Sequence, residues 1–232
     1  MKLDVPPRGA VLVIAVFALL VVVHLAAQLA DADRLVDVTQ WFLMPVLAAI
    51  LVAVTSSPHS RLVRTALVAL AFSWLGDTAP DAFDGDTAFL VMIGFFLLAQ
   101  LAYVAAFLPY RDRSVLRRPA VAGYVLAVAL LVAACAPGAG ALLVPALVYG
   151  LCLGTMAVLS TGLGVIAGVG GALFLASDAM IALGAFADWF TPPVEGFWVM
   201  LTYIAGQALL AYGVAATDRA ATATPDVSSV AR

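Results

Sequence analysis

The chain has 232 residues, of which 65% are hydrophobic and only 11% charged, with a formal net charge of −3. A soluble domain needs roughly 25% charged residues to coat its surface, so this composition excludes an ordinary water-soluble globule. It also leaves no basic surface for nucleic acid.

A membrane span takes about 20 mostly apolar residues. Eight such runs follow in order: 10–30, 40–55, 62–76, 87–107, 120–134, 141–160, 165–185 and 195–217. The third is short and is expected to stop or bend near Asp77. Pro58, Pro80, Pro109, Pro119, Pro137, Gly138, Pro192 and Pro193 punctuate the breaks. Cys135 and Cys152 fall inside apolar runs without metal-ligand spacing.

The basic residues check the count, because cytoplasmic loops collect Lys and Arg. With the N-terminus inside, Lys2, Arg8, Arg61, Arg64, Arg111, Arg113, Arg117, Arg118, Arg219 and Arg232 all fall on inner segments. Only Arg34 of the 11 falls on an outer loop, beside Asp31, Asp33 and Asp37. Trp41, Trp74, Trp189 and Trp198 lie near outer helix ends, where an amphipathic ring suits the headgroup region. The expected architecture is all-α: an integral membrane bundle of eight transmembrane helices in one domain, 1–217, with both termini cytoplasmic and a disordered tail at 218–232. The Arg-, Ala-, Val- and Gly-rich usage points to a GC-rich bacterial genome, hence to a bacterial plasma membrane.

Small residues suggest where helices approach closely: Gly150 and Gly154 in span six, and Gly164, Gly168 and Gly171 in span seven. Ionisable groups within spans are costly and mark functional cavities. Asp178 sits in the apolar run of span seven, and Asp77 ends span three. Further polar residues gather in the outer halves: His24 and Gln28 in span one, Ser73 in span three, Ser177 in span seven and Tyr203 in span eight. Gln100, Tyr103 and Gln207 lie nearer the midplane. Together they suggest a cavity reached from the outer leaflet. Asp77 and Asp178 lie 101 residues apart and Gln100 and Gln207 lie 107 apart, which raises a 4+4 parallel repeat as a possibility.

These residues resemble a known family. Ser73-x-x-Gly-Asp77, the helix from Gly94 to Tyr103 with Gln100, the run from Gly171 to Asp178, and Tyr203-x-x-x-Gln207 are similar to the YhhN family of multi-pass membrane proteins, across about 40–212. The chain departs from that pattern at Met44-Pro45, where family members often carry Lys-Pro, and at Gln100, where many have His. The characterised members are lysoplasmalogenases, so the resemblance implies hydrolysis of the vinyl ether of a lysoplasmalogen to a fatty aldehyde and a glycerophospho-head alcohol. The implied partner is a lysophospholipid or related amphiphile in the bilayer, with no cofactor and no metal.

Enol ether cleavage needs a proton donor, a stabiliser of positive charge and a base for water, which two carboxylates can supply, as in glycoside hydrolysis. Asp178, the deeper, is expected to be the general acid, and Asp77, nearer the headgroups, to stabilise the cation and activate water. Ser73, Ser177 and Tyr203 would orient them. His24 and His59 fall on opposite membrane faces, which argues against a metal site. The alternative is a non-catalytic protein that binds or moves a small amphiphile, for which a polar route would have to cross both leaflets.

Overall fold

A computed structural model describes residues 8–223. Lys2, Arg232 and positions 224–232 of the expected tail lie outside the described residues. The helices are α1 (Arg8–Leu29), α2 (Asp33–Val54), α3 (Arg61–Thr78), α4 (Gly85–Phe107), α5 (Val121–Ala139), α6 (Leu143–Ser160), α7 (Val165–Phe186) and α8 (Glu195–Thr222). Short 3-10 turns join several of them, and among the described residues there is no strand. The last helix runs on to Thr222, so 218–222 are helical.

The count of eight membrane-crossing segments is corrected. Seven helical segments are long and apolar enough to cross a membrane, and the expected fifth and sixth spans fall within one of them, a 43-residue stretch from Val121 to Leu163. The reason is local. The Pro137-Gly138 pair does not break the helix: α5 continues to Ala139 and a 3-10 turn at Gly140–Leu142 leads directly into α6. A straight helix of that length would measure about 65 Å, roughly twice the hydrocarbon core. The chain instead turns at Gly140, whose φ of +49° suits a residue without a Cβ. The two halves then pack together, with Val128 of α5 against Gly150 and Gly154 of α6.

Local chemistry sets the helix starts. Ser60 caps α3 by accepting the Val63 amide at 3.3 Å. Gly164, expected to be a packing residue, instead has φ +114° at the start of α7 and has no neighbour where a Cβ would point. Helix α7 is held closely on both sides. A Cβ on Gly170 would lie 2.8 Å from the Gly206 carbonyl of α8, and one on Gly206 would lie 2.9 Å from the Gly170 carbonyl. On the other side, Gly171 abuts Ala157 and Ser160 of α6. Such backbone-to-backbone contact replaces the hydrophobic drive that lipid does not provide. Large apolar side chains, Leu12, Val22, Leu130 and Val165 among them, face outward as a lipid-contacting surface requires.

Two ends can be told apart. Trp41 and Trp74 are tied together at one, where the Trp74 indole donates to the Trp41 carbonyl at 3.0 Å and the Trp41 indole donates to Asp81 at 2.9 Å. At the other, Arg219 donates to the Val54 carbonyl at 3.2 Å, and the linker of Leu108–Arg113 and Val115–Arg117 carries arginines.

The α7–α8 contact yields a direct test. Gly206→Val should destabilise the detergent-solubilised protein by about 1–3 kcal/mol through overpacking, read as a lowered midpoint of thermal unfolding. Gly94→Ala, where a Cβ meets nothing within 4 Å, should leave that midpoint unchanged or slightly raised.

Candidate functional site

The spacing of α7 explains the site. Asp178 lies seven residues after Gly171, two helical turns along the same face, so it points toward α6. There the Tyr149 hydroxyl donates to Asp178 Oδ2 at 2.5 Å. Ser177 lies seven after Gly170 and so faces α8, where its hydroxyl donates to the Val199 carbonyl at 3.0 Å. Asp77, in the last turn of α3, receives the Tyr203 hydroxyl of α8 on Oδ2 at 2.8 Å. Each carboxyl is thus held by a tyrosine from another helix, and each side chain keeps about 7% exposure. That residual exposure opens into a cavity.

The cavity has two parts. A wider chamber of about 500 Å³ carries the polar side chains of Gln28, Gln40, Asp77, Ser177, Asp178 and Tyr203 on an otherwise apolar wall that includes Phe89, Met92 and Phe96. No lysine or arginine lines it among the described residues. Next to it runs a narrow apolar slot of about 70 Å³ between α4, α5, α6 and α7, lined by residues such as Ile93, Leu131, Cys135, Leu147 and Leu153. Phe89, Met92, Phe96, Asp178 and Ile181 border both spaces. Asp178 is therefore the carboxyl at the junction, and Asp77 belongs to the chamber alone.

Further polar contacts lie deeper. The Tyr103 hydroxyl donates to Gln207 Oε1 at 2.6 Å, and Gln207 Nε2 donates to Ser73 Oγ at 2.9 Å, which fixes the amide orientation. Ser73 is one turn before Asp77, and Gln207 one turn after Tyr203, so this chain braces both members of that pair. Phe96, Phe174 and Tyr203 meet edge to face, with centroids 5.5–6.3 Å apart, and hold the Tyr203 ring. Below this level Leu70, Tyr103, Phe107 and Leu210 are buried and close the interior.

Of the residues expected at the site, Asp77, Asp178, Ser177, Tyr203 and Gln28 line the chamber, and Ser73, Tyr103 and Gln207 support it from behind. Two stand apart. His24 lines neither space: it is buried between α1 and α2, 2.8 Å from Thr39 Oγ1. Thr39 spends its hydroxyl hydrogen on the Leu35 carbonyl at 2.6 Å, so His24 Nδ1 is the donor and the buried Nε2 is left as an unpaired acceptor. Gln100 is fully buried with its amide against the Tyr149 hydroxyl, an interaction longer or more bent than a full hydrogen bond. Met44 packs in the apolar core.

Tyr149 and Gln40 are additions that sequence reasoning missed. Gln40 donates to the backbone carbonyl of Asp77 at 3.3 Å, which leaves its amide oxygen to the chamber. It stood at the edge of an apolar run, and Tyr149 stood alone in one. The available signal was that a buried carboxyl needs a donor, and Tyr149 is the polar side chain of α6 that lies on the α7-facing stripe with Ala157 and Ser160.

The two glutamines should respond unequally to removal of the amide. Gln207→Leu strands the Tyr103 and Ser73 hydroxyls and should cost about 1–3 kcal/mol for each, whereas Gln100→Leu removes only a weak contact to Tyr149 and should cost less. Thermal unfolding in detergent checks both.

No curated protein and no solved structure matches the chain. A family model does match, over residues 37–214, a range that contains Gln40, both aspartates, Tyr149, Tyr203 and the whole Tyr103–Gln207–Ser73 chain. With helices apolar enough for a multi-pass membrane protein and that match over most of its length, the chain belongs to the YhhN family.

Proposed function

We propose that the protein is a membrane-embedded hydrolase that cleaves the vinyl ether of a lysoplasmalogen-type lipid, releasing a fatty aldehyde and a glycerophospho-head alcohol. The observation that carries this reading is that both aspartates border one chamber while Asp178 alone also borders an apolar slot. Family membership supports it.

The division of labour follows from that placement. In a vinyl ether the β-carbon lies on the hydrocarbon side and the α-carbon on the head side. Asp178, at the junction, gives its proton to the β-carbon and so forms an oxocarbenium ion. Asp77, in the chamber, stabilises the cation and takes a proton from the water that attacks the α-carbon. The hemiacetal then collapses: Asp178 takes up the hydroxyl proton, Asp77 gives its proton to the ether oxygen as the bond from that oxygen to the α-carbon breaks, and the head departs as an alcohol with both carboxyls restored. Substrate and one water balance aldehyde and alcohol. Tyr149 and Tyr203 keep one oxygen of each carboxyl occupied and so aim the other at the cavity. On this reading the arginine linker lies on the cytoplasmic face and the chamber opens toward the outer leaflet. The packed layer of Leu70, Tyr103, Phe107 and Leu210 favours this one-sided cavity over a transport route.

Aldehyde release from a synthetic lysoplasmenylethanolamine by purified protein in detergent tests the reading. Asp77→Asn and Asp178→Asn should each lower the rate by about 10²–10⁴-fold, and Tyr149→Phe by about tenfold through loss of the bond to the carboxyl. Full activity in Asp178→Asn would remove its role as the acid, and a folded wild type that releases no aldehyde would remove the hydrolase.

A further inference from the structure

We infer that the apolar slot between α4, α5, α6 and α7 is a binding site for one hydrocarbon chain of a membrane amphiphile, entered sideways from the bilayer past Leu143 and Leu147. Three observations carry it. First, the slot is almost wholly apolar along its wall, and its one acid, Asp178, stands where it meets the chamber. An apolar space continuous with one that carries polar groups is complementary to a molecule with a head and a tail. Second, the slot is much smaller than the chamber, about 70 Å³ against about 500 Å³, so of the two the chamber is the space that can take a headgroup. Third, Leu143 and Leu147 line the slot yet remain 36% and 39% exposed on the outer face of α6. In a bilayer that exposure is to hydrocarbon, so a chain can slide between α4 and α6 without crossing water.

The hairpin turn at Gly140 is what creates this space, since it brings Leu131 and Cys135 of α5 opposite Leu147 of α6. The proposal rests on the hydrolase reading only for the register of the scissile bond beside Asp178; the chain site itself is independent of turnover.

A lysophosphatidylethanolamine with a saturated chain and a terminal diazirine, which has no vinyl ether to cleave, probes the site in mixed micelles. After irradiation, labelled peptides should come from α4, α5 and α6 around Ile93, Leu131 and Leu147. Ala146→Phe, which fills the slot, should reduce that labelling at least about fivefold, while Leu151→Phe, on the lipid-facing side of the same helix, should leave it unchanged. With vinyl ether substrates, Ala146→Phe should raise the ratio of ten-carbon to eighteen-carbon turnover by about tenfold. Labelling spread over the lipid-facing residues of α1 and unaffected by Ala146→Phe would overturn the chain site, whether or not the wild type releases aldehyde. Slot labelling without aldehyde release would keep the chain site and remove the hydrolase.

Discussion

A carboxyl group inside a helical bundle in lipid has to find its donors within the protein, and here no lysine or arginine stands in the chamber to supply them. Both aspartates meet this constraint in the same way, through a tyrosine hydroxyl on a different helix. A neutral donor suits the position. It satisfies part of the carboxyl without fixing it as a permanent anion, as a buried guanidinium would, so proton exchange with a substrate remains open. Each tyrosine occupies one oxygen and leaves the other to the cavity. The remainder of the polar interior follows from holding those tyrosines still: the Gln207–Ser73 link, the Tyr103 hydroxyl behind it, and the edge-to-face cluster of Phe96, Phe174 and Tyr203.

The helix packing serves the same end. Helix α7 touches α8 through Gly170 and α6 through Gly171, with no room for a Cβ on either side. Two turns further along, the same two faces present Ser177 to α8 and Asp178 to α6. The close approach of backbones brings a short side chain such as aspartate within reach of a tyrosine on its neighbour. The chamber opens beside these contacts because α3 and α8 also meet there, through Asp77 and Tyr203.

Much of this was legible in the sequence, and the reasons for what was not are physical. Asp77, Asp178, Ser73, Ser177, Tyr203 and Gln207 stood out because a polar side chain in an apolar run has to be explained in lipid. Tyr149 did not stand out, since a tyrosine sits comfortably among apolar residues and its role exists only through the contact between α6 and α7. Gln40 was hidden by a late start for the second run: α2 begins at Asp33, which places Gln40 well inside the helix and facing Asp77. His24 lies away from the cavity, with one ring nitrogen on Thr39 between α1 and α2. The 43-residue stretch was divided at Pro137 and Gly138, where sequence punctuation is strongest, yet the backbone turns at Gly140. Periodicity reports which residues share a face; which faces meet is decided by backbone close approach, and one such approach, Gly170 against Gly206, joins two glycines far apart in the chain.

The most direct measurement is the aldehyde-release rate of the double variant Asp77→Asn with Asp178→Asn beside the two single variants and the wild type. Two carboxyls that act on one bond from one chamber form a unit, and residues that act as a unit lose activity non-additively. The double variant should therefore be no slower than the slower single variant, apart from a small residual difference. Losses that multiply would mean that the aspartates act independently, and the shared chamber would not be the reacting site.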